Sequence, residues 1–196
     1  MYSLKQLWPF FCVLFLLMSP ASAHAEIPIV EPGDYGTFAN PQWVAYPRNM
    51  SFVMGKLASA DDIDVVAFDY VGGQPLNALV YVPAHEELRD FSPYIALVGP
   101  GLPAPTQTLP FAVPQGMGAL VAHSTQTYRY FDVFTQMTFF PRAQINTTLP
   151  QTGRYYMAVW GQPIGRSLYA LDIGIEETFA PQFLMRYPIN WFHQTL

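Results

Sequence analysis

Proline and glycine interrupt this chain so often that short strands joined by turns are what most of it can form. Nineteen prolines and thirteen glycines are scattered rather than clustered, and between them lie short runs rich in Val, Ile, Tyr and Phe. Proline removes a ladder donor and glycine punctuates, whereas β-branched and aromatic side chains suit a pleated surface. The pattern predicts an all-β fold, an antiparallel, jelly-roll-like β-sandwich.

The clearest strand is Ser167 to Ile175, where Tyr169, Leu171, Ile173 and Ile175 alternate with Ala170, Asp172 and Gly174. That is the period of a half-buried strand. Arg154 to Trp160 is its expected hairpin partner, closed by residues 161–165. Upstream, Asp64 to Tyr70 reads as a strand, residues 71–74 as a turn and Leu76 to Val82 as the returning strand. Tyr94 to Val98, almost wholly apolar, reads as a strand buried on both faces. Weaker strand signals cover Ile27 to Val30, Phe52 to Leu57, Ala119 to Ala122 and Gln136 to Phe140. Pro100 to Pro114 has no periodicity and reads as a long loop. Residues 175–187, with Pro181 near their start, predict a short C-terminal helix that leads into an aromatic tail.

The first 25 residues carry the marks of a secretory signal: Lys5, an apolar run from Leu7 to Met18, the break at Pro20, and small residues from Ala21 to Ala25. The run is short for a bilayer span, so cleavage and export are expected, to the periplasm, the cell envelope or beyond. Cleavage after Ala25 leaves about 171 residues, the size of one domain with its own core. The organisation expected is a signal over 1–25, a sandwich over 26–175 and a helical, aromatic tail over 176–196.

The only cysteine, Cys12, leaves with the signal, which removes disulfides, thiolate metal sites and cysteine nucleophiles from the exported chain. What remains carries eight basic against fourteen acidic residues without a run of either sign, so a nucleic-acid partner is excluded. No stretch beyond the signal is long enough for a membrane helix. With 12% charged and 51% hydrophobic residues, the surface is expected to present apolar or aromatic area to a partner.

Two segments resemble a known family. Residues 60–74, Ala60-Asp61-Asp62-Ile63-Asp64-Val65-Val66-Ala67-Phe68-Asp69-Tyr70-Val71-Gly72-Gly73-Gln74, resemble the hairpin of bacterial pre-peptidase C-terminal domains, in which spaced aspartates lead through an aromatic strand into a glycine turn. Gly153 to Trp160 and Ser167 to Ile173 resemble the family's closing hairpin. The likeness spans residues 52–175. It implies a secreted jelly-roll-like sandwich of the kind appended to enzymes, not itself catalytic, and in some cases calcium-binding. Here the sandwich is expected to stand without an enzyme beside it, and the loop from Gly99 to Gln126 is longer than the family pattern implies.

Asp61, Asp62, Asp64 and Asp69 are the densest acidic group. They read either as solvated carboxylates at a strand entrance or, through the resemblance, as calcium ligands, although the EF-hand spacing is absent. Apart from that contingent calcium, no cofactor is expected. Cleavage after Ala23 would make His24 the amino terminus, and with His85 or His123 its amine and ring could bind copper(II). Ser124 beside His123 is adjacency along a strand, which puts the two side chains on opposite faces. No nucleophile elbow, zinc-protease motif or phosphate-cradling loop occurs, so no catalytic residue is assigned.

Tyr128, Tyr130, Phe131 and Phe134 cluster with Arg129, as core filling or as a ligand surface. The sequence thus favours an exported, non-catalytic binding or assembly module whose partner is an envelope protein or a glycan. Two other readings stand: a copper-binding protein or oxidoreductase using His24, and a peripheral membrane-complex subunit docking through residues 179–191.

Overall fold

The computed structural model describes residues 27–31, 33, 35–133, 135–163 and 167–176. The signal segment with His24, Phe134 and the tail from residue 177 lie outside them. The short helix expected over 175–187 therefore falls almost wholly outside as well. Its first residues, Ile175 and Glu176, run back along the chain before β3, with both backbone N–H groups donating to the Arg48 carbonyl.

Among the described residues, eleven strands form two facing sheets. They are β1 (Ile27–Val30), β2 (Gln42–Trp43), β3 (Ser51–Lys56), β4 (Ile63–Tyr70), β5 (Pro75–Pro83), β6 (Tyr94–Pro100), β7 (Met117–Ala122), β8 (Tyr130–Asp132), β9 (Met137–Thr148), β10 (Gly153–Trp160) and β11 (Leu168–Ile173). A 3₁₀ turn, Glu86–Leu88, is the one helical element among the described residues. One sheet has the order β1-β3-β11-β5-β9-β8 and the other β2-β4-β10-β6-β7. All pairings are antiparallel except the two made by the N-terminal arm, where β1 runs parallel to β3 and β2 parallel to β4. The arm thus gives one edge strand to each sheet and crosses the open side of the sandwich between them.

The strand expectations hold, but two of the expected pairings do not. β4 and β5 lie in different sheets, so residues 71–74 form an arch between sheets rather than a hairpin turn. The Gly73 N–H donates to the Leu149 carbonyl and the Gln74 carbonyl accepts from the Leu149 N–H, so this turn is pinned by the end of β9. The Tyr70 hydroxyl donates to the Pro75 carbonyl at 2.6 Å across the arch. Likewise β10 pairs with β4 and β6 while β11 pairs with β3 and β5. Both arches arise because each strand buries one face in the space between the sheets, and a strand pattern records that burial without naming the neighbour.

The core between the sheets is built from Val66, Phe68, Tyr155, Met157, Ile95 and Leu97 on one side and Val53, Leu76, Val80, Val82, Leu171 and Ile173 on the other. β11 is buried along its whole length rather than on alternate residues. On its outward side the small Ala170 lies between Met54 and Tyr81, and Asp172 between Phe52 and Leu79, so larger neighbours cover both. Two strand glycines make room for rings. A Cβ at Gly55 would come within 2.3 Å of the Tyr169 hydroxyl, and one at Gly99 within 2.1 Å of the Tyr155 ring.

A second apolar layer covers the outer face of the five-stranded sheet. Leu109, Phe111 and Val113 of the long loop and Phe38 of the arm pack over Ala96, Val98, Ala119 and Ala158. The loop expected over residues 100–114 is irregular, as the sequence predicts, and it serves as a lid for this face.

Candidate functional site

The residues singled out as a ligand surface sit where β7 of one sheet leads into β8 at the edge of the other. β8 and β9 form a hairpin whose tip is set by Asp132: its carboxylate accepts from the Thr135 N–H at 2.7 Å and from the Thr135 hydroxyl. Gln136 takes a left-handed backbone conformation (φ 54°), as short hairpin loops require. Asp132 and Thr135 are buried, and the residue between them in the described chain, Val133, is 73% exposed. Tyr128 and Phe131 are each 57% exposed and Tyr130 is 44% exposed. The Tyr130 ring stacks on Tyr81 at 5.8 Å, and Tyr81 in turn packs on Phe139.

The segment from residue 123 to 129 that delivers these rings is held at its root. Ser92 donates through its hydroxyl to the Ser124 carbonyl, and the His123 Nε2 lies 3.1 Å from the Ser92 carbonyl oxygen. The His123 ring stacks on Tyr94 with centroids 3.9 Å apart, and Tyr94 stacks on Trp160. Beneath the segment, the buried Arg142 of β9 donates from Nη1 to the Gln126 carbonyl and from Nη2 to the Arg89 carbonyl. Burial pushes its pKa down, with Asp90 opposing. Both Arg142 and Arg129 lie over the Phe140 ring, at 5.0 and 5.9 Å. The outcome is an apolar, aromatic edge, rimmed by the exposed Arg129, on a backbone whose carbonyls and turn are fixed from below. Such a surface can bind, and its His123 ring and Ser124 hydroxyl are engaged in structure, on the Ser92 carbonyl and the Gln126 N–H.

The four aspartates do not converge. Asp64 points into the sandwich, where it accepts from the Tyr169 hydroxyl at 2.6 Å. Asp69, five residues on, points outward and pairs with Arg154 at 3.0 Å, the guanidinium lying over the Trp43 ring. Asp61 and Asp62 line a polar cleft of about 390 Å³ with Gly36, Thr37, Asn40 and Ile63, and the Asp62 carboxylate caps the Ala58 N–H. His85 is exposed ahead of the 3₁₀ turn. Among the described residues no group of three or more His, Cys, Asp or Glu is placed to hold a metal.

Two arrangements escaped the sequence reading. One is the Trp43–Arg154–Asp69 stack, joined across three strands. The other is a group of titratable side chains, the half-buried Glu31 with the buried Asp64 and Tyr169. Burial and Asp64 push the Glu31 carboxyl up to about 8. Burial and the same Asp64 push the Tyr169 hydroxyl well above its usual value. Glu31 carries no motif and stands 33 positions from Asp64, so only the path of the arm reveals it.

No protein-family model matches the chain, and no curated relative matches it. Solved structures of similar shape include the Aeromonas hydrophila periplasmic inhibitor of g-type lysozyme, at 13% identity and a TM-score of 0.41, covering 78% of this chain and 100% of that one. Another is the pre-peptidase C-terminal domain of a Bacillus anthracis collagenase, at 13% identity and a TM-score of 0.38, covering 68% and 93%. The second belongs to the family that residues 60–74 and 153–173 resemble. At these identities and TM-scores no residue role passes from either. Among the described residues no helix is long and apolar enough to cross a membrane.

Proposed function

We propose that this chain is an exported, non-catalytic β-sandwich that binds a protein partner of the cell envelope through the edge formed by Tyr128, Tyr130, Phe131 and Val133. The observation that carries this reading is a run of exposed apolar side chains on a pinned backbone: Arg142, Asp132 and Tyr81 fix the edge from beneath, while Phe131 and Val133 face solvent. Rings held in place lose little conformational freedom on binding, and aromatic side chains beside an arginine are the composition of interface centres. A glycan would need hydroxyl-matching polar groups beside the rings. Tyr128, Tyr130 and Arg129 could supply some, but Phe131 and the 73% exposed Val133 extend the edge as apolar area that a protein surface covers better, which favours a protein.

Export rests on the signal-like first 25 residues. The test is binding by the exported protein to envelope extracts of the producing cell, before and after protease treatment, in the wild type and in Tyr128→Ser/Phe131→Ser. Retention that is protease-sensitive and weakened at least tenfold by the double substitution fits the proposal. Retention on protease-treated, polysaccharide-containing material would point instead to a glycan, and equal retention of both variants would remove this edge from the function.

A further inference from the structure

We propose that Glu31 and Asp64 share a proton that latches the N-terminal arm across the sandwich, so that loss of this proton releases the start of the arm. Glu31 stands where the chain leaves β1. Its N–H still donates to the Met54 carbonyl of β3, at 3.0 Å. Its side chain turns toward the other sheet: Oε1 accepts from the Tyr35 N–H at 3.3 Å, and the Tyr35 carbonyl accepts from the Val65 N–H of β4 at 3.0 Å. The carboxyl also hydrogen-bonds with Asp64 of β4. Asp64, buried, takes the Tyr169 hydroxyl of β11 from the opposite sheet. One chain of polar groups, Tyr35–Glu31–Asp64–Tyr169, therefore ties the arm to both sheets.

The side chains facing Glu31 make its ionised form costly, and the Tyr35 N–H, which favours that form, is outweighed by burial and Asp64. From β4 and the turn before it come Asp64 and Asp62; from β11 comes the Tyr169 hydroxyl, a neutral donor already committed to Asp64. The titratable side chain of β3, Lys56, is exposed, and Tyr35 contributes its backbone N–H. Two carboxyls in hydrogen-bond contact cannot both carry charge away from water without strong repulsion, so one keeps a proton. With the proton in place, a carboxylic acid donates to a carboxylate, a short and strong bond. When the proton passes to solvent, the donor is lost and two like charges face each other. The start of the arm can relieve this by swinging Glu31 into water, since β1 is an edge strand held along one side, whereas the arm's later part stays anchored by Phe38, Trp43 and the core residue Val44. The departure of β1 uncovers the outer edge of β3, a pH-gated change at the side of the sandwich opposite β8 in the sheet order.

The test is hydrogen exchange by mass spectrometry on the exported chain across pH 5 to 9, corrected for intrinsic exchange. For a group that titrates near its ordinary value once the arm is open, arm opening rises up to about tenfold per pH unit between the open-state and closed-state values and then levels off. Peptides covering residues 27–36 are expected to lose protection over that range while those of β2, β6 and β10 keep theirs. In Glu31→Gln, which keeps an amide donor but cannot ionise, arm protection is expected to be independent of pH. Flat arm protection in the wild type, or an undiminished pH dependence in Glu31→Gln, would overturn the latch. A carboxyl ¹³C titration of Glu31 in the wild type decides the case without any variant: a midpoint well above the ordinary glutamate range supports it, and one within that range overturns it.

Discussion

The Tyr169 hydroxyl of β11 reaches across the sandwich and donates to the Asp64 carboxylate of β4, at 2.6 Å, joining the two sheets through buried side chains. It is accompanied by Gly55, whose missing side chain leaves the space that the hydroxyl occupies. Removing the donor leaves a buried carboxylate short of one partner. Tyr169→Phe is therefore expected to destabilise the protein by about 1–3 kcal/mol, read as a lower urea midpoint with an unchanged slope.

The two ring-accommodating glycines make a sharper prediction about packing. At Gly99 a methyl group would meet the Tyr155 ring, which is itself buried and anchored through its hydroxyl to the Gln151 carbonyl at 2.7 Å. Gly99→Ala should cost about 1–3 kcal/mol by overpacking. In a double-mutant cycle with Tyr155→Leu the two costs should be strongly non-additive, because the second change removes the obstacle that makes the first one harmful.

The acidity of Glu31 fixes the sign of the pH dependence. Its carboxyl is raised from 4.5 to about 8 in the folded chain, by burial first and Asp64 second. The folded state thus holds its proton more tightly than the unfolded chain. Its contribution is complete below about 4.5 and is lost as pH rises through about 8. Stability to urea should fall over that window in the wild type, and the fall should be smaller in Glu31→Gln.

Much of the architecture was legible in the sequence, because period-two burial and turn residues mark strands wherever they occur. β1, β6 and the strand near Asp64 lie where the pattern puts them. The pairings were not legible: Gly72-Gly73 signals a turn, yet whether that turn closes a hairpin or arches between sheets depends on Leu149, which bonds to it from about 75 positions away. The full burial of β11 was hidden for a similar reason, since Ala170 and Asp172 are covered by Met54, Phe52 and Tyr81 from neighbouring strands. At the candidate site the cluster of rings was visible as local composition. Its support was not, because Arg142 reads as one more charged residue until it is found beneath Gln126 and Arg89.

That support yields its own prediction. Arg142→Met keeps much of the apolar stem but withdraws the donors from the Gln126 and Arg89 carbonyls. A loss of about 1–3 kcal/mol is expected. Amide exchange in residues 124–131 should accelerate more than in β5, and partner binding should weaken even at temperatures where the variant is folded.

The most direct test of the proposed function is site-specific photo-crosslinking in the producing cell, with a benzophenone amino acid placed at Phe131, at Tyr128 or at the equally exposed Val71 on the opposite arch. The account predicts a discrete protein adduct from positions 131 and 128 that is absent from position 71 and is lost when Val133 and Tyr130 are replaced by serine. The same adduct from all three positions, or none from 128 and 131 in a chain that is exported and folded, would contradict it.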